Sequence, residues 1–194
     1  MTMKKFYPLF VMMITIIGCK VQDLPAPIDN PQMQYSDLQN AELKYQQLYQ
    51  LDIDGNGSTD FSFSTLLVGD PVLKQDRLQF IAHSKIGTNL LNNENDQSPV
   101  LNYGDKISFV HPGYEWLEIS AIELAEKTTG MTGPVYWDGF WKNVSHQYLP
   151  VQLKKKGKYY HGWVELSFDI NSEKLILHRA AISTKAGKEI KAGS

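Results

Sequence analysis

The sequence predicts an all-β fold, an antiparallel β-sandwich of the jelly-roll kind. Three observations carry that expectation. Apolar and polar residues alternate with period two along several segments. One of these segments is followed by a turn and a matching return segment. Only one weak helical pattern interrupts them. A strand turns successive side chains to opposite faces, so period two marks a half-buried strand. Seven or more such strands must pack as two facing sheets to bury their apolar faces.

The first segment is an address rather than structure. Lys4 and Lys5 precede an apolar run, Leu9–Ile17, which is too short to span a bilayer as a helix. Ile16-Ile17-Gly18-Cys19 follows. It resembles the bacterial lipobox: apolar residues, a small residue at the cut, then the chain's single Cys. The resemblance implies a lipoprotein signal peptide over 1–18 and a thioether-linked diacylglyceryl group on Cys19, with an added palmitate-type chain on the freed amine. Two or more chains anchor a protein stably where one binds only marginally. A plain secretory signal with an incidental Cys19 is the competing reading. Lys20 stands where an inner-membrane retention Asp usually sits, which implies the outer membrane, on its periplasmic or its surface face.

Cleavage after Gly18 shortens the 194 residues to 176 and removes Lys4 and Lys5, so the formal charge moves from −2 to −4. A lone Cys excludes a disulfide framework and a Cys-based zinc cluster. Near-neutral charge, with a pI near 6.2, gives no electrostatic footprint for nucleic acid. Residues 19–34, with Pro25, Pro27 and Pro31, read as the acylated Cys and an extended tether, able to hold the body about 40 Å from the membrane.

The folded body is expected over 35–184. Ser36 and Gln39 resemble a capping box, and Leu38, Ala41, Tyr45 and Leu48 recur at helical spacing, so one short helix is predicted over 36–49. Phe61, Phe63, Thr65 and Leu67 then alternate, as do Leu78, Phe80 and Ala82. Val164, Leu166, Phe168 and Ile170 form one strand face, expected to be buried; Trp163, Glu165, Ser167 and Asp169 form the other. Asn171-Ser172 turns the chain, and 174–182 returns as hairpin partner. Further strands are expected at 106–110, 116–124 and 147–153. Two long polar loops, 84–105 and 126–146, separate them. The Gly- and Lys-rich tail 185–194 is expected to fray.

One segment carries metal chemistry. Asp52-Ile53-Asp54-Gly55-Asn56-Gly57-Ser58-Thr59-Asp60 places oxygen-bearing side chains at alternate positions before a glycine turn. Ca²⁺ takes six to eight oxygen ligands, and such a loop wraps them around one ion. Asp52, Asp54, Asn56 and Asp60 supply side-chain oxygens, and Ser58 a carbonyl or hydroxyl. The match to an EF-hand loop ends at Phe63, which stands where the bidentate Glu belongs. Affinity is therefore expected in the weak extracellular range, about 10⁻⁴–10⁻³ M. The competing reading is an Asp/Asn/Gly turn whose carboxylates cap backbone amides.

Catalytic patterns are sparse. The Gly-flanked aromatic loop offers Tyr136, Trp137, Asp138 and Trp141 as a glycan platform; the bland alternative is that the rings plug the core. Glu115, Glu118 and Glu123 show no spacing that pairs two carboxylates on one strand face at glycosidase separation. The five histidines are scattered, and no GxSxG elbow, P-loop or GxGxxG occurs. Lys154-Lys155-Lys156-Gly157-Lys158 reads as a charged hairpin turn.

Three segments, 51–63, 147–168 and 174–182, together resemble a family of secreted bacterial domains of unknown function. Such domains carry a DxDxDGxxDF loop, then a hairpin of the form YLGVRF…YYGWVRL. Here Tyr148-Leu149-Pro150-Val151 and Tyr160-His161-Gly162-Trp163-Val164 occupy the hairpin positions. Pro150 and His161 depart from the pattern. The resemblance implies a jelly-roll or concanavalin-like sandwich and no particular activity. The functional expectation is a membrane-anchored lipoprotein with a non-catalytic, Ca²⁺-stabilised sandwich that contacts another envelope protein or a glycan. The alternative is a glycan-binding or divergent glycan-processing lipoprotein.

Overall fold

A computed structural model describes residues 32–194. Residues 1–31, which include the expected signal peptide, Cys19 and most of the expected tether, lie outside the described residues. In chain order the strands are β1 (Met33–Leu43), β2 (Leu48–Leu51), β3 (Phe61–Asp70), β4 (Gln75–Ser84), β5 (Thr88–Asn92), β6 (Lys106–Ile107) and β7 (Glu115–Glu118). They continue as β8 (Ala121–Gly130), β9 (Tyr136–Asp138), β10 (Gln147–Lys155), β11 (Lys158–Asp169), β12 (Lys174–Ser183) and β13 (Ile190–Lys191).

Two large antiparallel sheets form a sandwich. One has six strands in the order β1-β12-β11-β10-β5-β7, and the other five in the order β2-β3-β4-β8-β9. The period-two faces meet between them. Phe61, Phe63, Phe80, Ile122 and Leu124 from one sheet pack on Leu149, Val151, Val164, Leu166, Leu177 and Ile182 from the other. Phe80 and Phe168 touch edge to face at 4.8 Å. The hairpin expected between Phe168 and Leu175 is present, with Asp169 opposite Lys174. The lysine run is the β10–β11 turn, with Lys156 and Gly157 both in the left-handed region.

Among the described residues no helix forms, so the helix expected over 36–49 is corrected to strand. Its helical spacing has a different cause. β1 changes register against β12 between Asp37 and Ala41, and Gln39 and Asn40 take φ of 56° and 54°. That bulge inserts extra residues and reverses which parity faces the core. Leu38 is buried before it and Leu43 after it. A strand broken in phase thus mimics a helical repeat.

The long loops also contain strand. The 84–105 stretch holds β5, buried throughout, because it pairs with both β10 and β7. The 116–124 stretch is two strands, parted at Ile119 (φ 54°). The 126–146 stretch begins with the end of β8 and holds β9. The predicted strand at 106–110 shrinks to β6.

The outer face of the six-stranded sheet is not open to water. β6 and β13 form a small third sheet over it. Ile107, Ile190 and Ala192 pack there on Tyr148, Trp163 and Ala181. Trp163, expected on an exposed face, is therefore fully buried, and its indole N–H donates to the carbonyl of Ser194 at 3.2 Å. The tail expected to fray instead closes this second core, so the body is 33–194 rather than 35–184. Deleting residues 190–194 is expected to destabilise the protein by about 2–4 kcal/mol, since it removes the buried Ile190 and Ala192 and exposes the Trp163 face. Urea unfolding measures it, and a change within error would contradict the packing.

Candidate metal centre

The 52–60 loop joins β2 to β3 at one end of the five-stranded sheet. Gly55 (φ 68°) and Gly57 (φ 87°) make its turns. Asp60 closes it: its backbone N–H donates to Leu51 O at 2.9 Å, and its Oδ2 accepts the Ile53 N–H at 2.9 Å. Thr88 Oγ1 donates to the Asp60 carbonyl at 2.9 Å, fastening the loop to β5.

The fold brings Asp52, Asp54 and Asp60 together, with one carboxylate oxygen from each within 4.8 Å of the others. The amide-capping role expected as the alternative is also present. Asp52 Oδ2 accepts the Gly57 N–H at 2.6 Å, and Asn56 Oδ1 accepts the Ser58 N–H at 2.8 Å. The Asn56 N–H donates to Asp52 Oδ1 at 3.1 Å and to Asp54 Oδ1 at 3.2 Å. Asn56 and Ser58 are exposed and lie on the rim. A capping oxygen keeps a second lone pair, so these bonds do not exhaust the donor set.

Charge is the distinctive feature. Burial pushes the Asp60 carboxyl up to about 6, and the charges of Asp54 and Asp52 add to it. Asp54 goes the other way. Burial works to raise it, but the Lys155 ammonium and Asn56 outweigh burial and hold it below the usual carboxylate range. Lys155 Nζ lies 2.5 Å from Asp54 Oδ2, on a carboxylate only 4% exposed. Three carboxylates therefore face one ammonium. The hard oxygen donors and the excess negative charge fit a divalent cation such as Ca²⁺. Lys155, reaching across from β10 to Asp54, would compete with such a cation. Nothing local in the sequence marked that lysine, because its partner is about a hundred residues away.

The aromatic loop separates into two roles. Trp141 takes the core role, one of the two readings its loop allowed: it is fully buried, and its indole N–H donates to Ser98 O at 3.3 Å. The cause is Gly139 (φ 99°), where a side chain would meet the Leu124 carbonyl at 2.6 Å. The chain presses against β8 there and drives Trp141 inward. Trp137 is half-buried against Phe80 and Phe168. Tyr136 and Asp138 remain exposed, and Asp138 pairs with Lys142 at 3.4 Å.

One carboxylate pair escaped the sequence. β8 shifts register opposite Phe80/Ile81, so Glu123 and Glu126 share the outer face despite their odd spacing. Gln79 Nε2 donates to both at 2.8 Å. Burial, then the Glu126 charge, raises the Glu123 carboxyl.

No protein-family model, curated protein or solved structure matches the chain.

The Asp60 shift gives a signed prediction. A carboxyl raised from 3.8 in the unfolded chain to about 6 in the folded one costs stability once ionised. That cost is complete above about pH 6 and is relieved as pH falls toward 3.8. In chelator, Asp60→Asn should therefore gain on wild type by about 2 kcal/mol between pH 4.5 and pH 8. Parallel denaturation series measure the difference. A gap independent of pH counts against the buried charge.

Proposed function

We propose that the chain is an outer-membrane lipoprotein, anchored through acylated Cys19, whose β-sandwich is stabilised by Ca²⁺ at the 52–60 loop. The observation that carries the metal part is the convergence of Asp52, Asp54 and Asp60 around one point, with Asp60 left in excess charge. Asn56 and Ser58 supply the remaining protein oxygens, and water completes the shell. The ion would neutralise the repulsion that burial creates and pin the β2–β3 junction. The lipobox, with the tether that ends where β1 begins, supports the anchoring part.

In this reading the loop is structural. The anchor and tether would hold the body near the membrane, where another envelope protein or a glycan is its partner. The glycan alternative at Tyr136, Trp137 and Asp138 is weakened by the burial of Trp141.

Calcium at about 1 mM should raise the melting midpoint by about 2 °C relative to chelator, for a dissociation constant near 0.5 mM. Lys155→Met should enlarge the shift by removing the competing ammonium. An unmoved midpoint in both proteins sinks the metal reading. Separately, radiolabelled palmitate should enter the wild-type chain, while Cys19→Ala should take up none and leave the membrane fraction. Retained labelling in that variant would refute the anchor.

A further inference from the structure

A second polar cluster lies on the outer face of the six-stranded sheet, away from the metal loop. Its groups come from four places: Asn40 from β1, His146 just before β10, Glu165 and Ser167 from β11, and His178 and Arg179 from β12. Tyr35, Ser36 and Asp37 complete the wall of an open cavity of about 400 Å³. That volume is within the range of small-ligand sites.

Two bulges make the cluster. In β12 the inward residues are Leu175 and Leu177, then Ala180 and Ile182. The phase break leaves His178 and Arg179 side by side on the outer face, opposite the β1 bulge that carries Asn40. Bulges re-aim side chains in this way beside functional sites. His146 adds backbone strain, with φ 52°. Non-glycine residues persist there only when their surroundings impose it.

The hydrogen bonds set the proton positions. The His146 N–H donates to Ser167 Oγ at 2.9 Å. Ser167 gives its own proton to His178 Nε2 at 2.7 Å. His178 Nδ1–H then donates to Asn40 Oδ1 at 2.6 Å, which leaves the Asn40 NH₂ turned away from His178. His146 stacks on His178, centroids 4.1 Å apart. His146 Nδ1–H donates to Glu165 Oε1 at 2.7 Å, so its Nε2 carries the lone pair. The His146 side chain is 61% exposed and Glu165 only 7%. Burial works to raise Glu165, but Arg179 and His146 outweigh it and keep the carboxylate ionised. Ser167, buried and bonded on both sides, is a strut and not a nucleophile.

We propose that this cavity is a hydrolytic site for small carboxylic esters, with His146 as general base oriented by Glu165. His146 Nε2 takes a proton from water as the water oxygen bonds to the acyl carbon. The carbonyl electrons move onto oxygen, where the Arg179 guanidinium and the Asn40 amide donate to it. Collapse breaks the bond to the alcohol oxygen, which takes the proton from His146. An imidazole base suits esters because the same imidazolium protonates the leaving group, whereas a glycosidic bond needs a separate carboxylic acid. The charged and titratable groups that line the cavity with His146 are Tyr35, Asp37, Glu165, His178 and Arg179, and the buried Tyr148 hydroxyl accepts from Arg179 behind them.

The test uses full-length lipoprotein in detergent with p-nitrophenyl acetate. Wild type should show saturable hydrolysis. His146→Gln should lower kcat/KM at least about 100-fold, and Glu165→Gln about 10-fold, the loss falling in kcat rather than KM. His83→Gln, on the other sheet, should leave the rate unchanged. Thermal melts check that each variant folds, and diethyl pyrocarbonate labelling of wild type should modify His146 first and abolish turnover. A rate strictly linear in substrate, full activity in His146→Gln, or turnover that survives modification of His146 overturns the proposal.

Discussion

A strand allows its side chains only two directions, and this sandwich depends on three places where that alternation is broken. The register shifts in β1, β8 and β12 each reverse which parity faces the core. Without them, the strands could not keep their apolar residues inward on both sides of the break. Each shift also sets two neighbouring residues facing the same way. On β12 the pair facing outward is His178 and Arg179, and on β8 Leu124 and Ala125 both turn inward, which leaves Glu123 and Glu126 on one outer face. Packing and chemistry are thus settled by the same local irregularity.

The second constraint is coverage. The six-stranded sheet buries both faces of β11, which an antiparallel sandwich need not do. The extra cover comes from the chain's last residues, folded back over Trp163 and Tyr148. Because Trp163 needs a partner for its indole N–H, the C-terminal segment supplies both apolar contact and an acceptor. The polar cluster around Glu165 sits just beyond this cover, where the sheet face meets water again. Its buried carboxylate is tolerable because Arg179 and His146 both donate to it.

The 52–60 loop shows the opposite balance. Its amides are satisfied, yet its charge is not. Asp54 finds an ammonium on a distant strand, while Asp60 keeps its carboxyl without one. Gathering three carboxylates this closely costs energy in a half-buried site, a cost that a bound cation would offset.

Period two in Phe61–Phe63, Leu78–Ala82 and Val164–Phe168 was enough to establish the strands, their core faces and the terminal hairpin, because alternation is a local property. The Asp-rich loop was legible for the same reason: its ligand types lie within nine consecutive residues. What lay beyond reach was everything set by partners far along the chain. The β1 bulge passed for a helix and residues 185–194 for a frayed end, while the sequence left the place of Trp141, core or surface, open. Lys155 on Asp54, and Asn40 with His178, join residues that no spacing rule connects. A strand's own sequence determines which residues alternate; only its neighbours in the sheet, through their hydrogen-bond register, decide where that alternation slips and which side chains then meet.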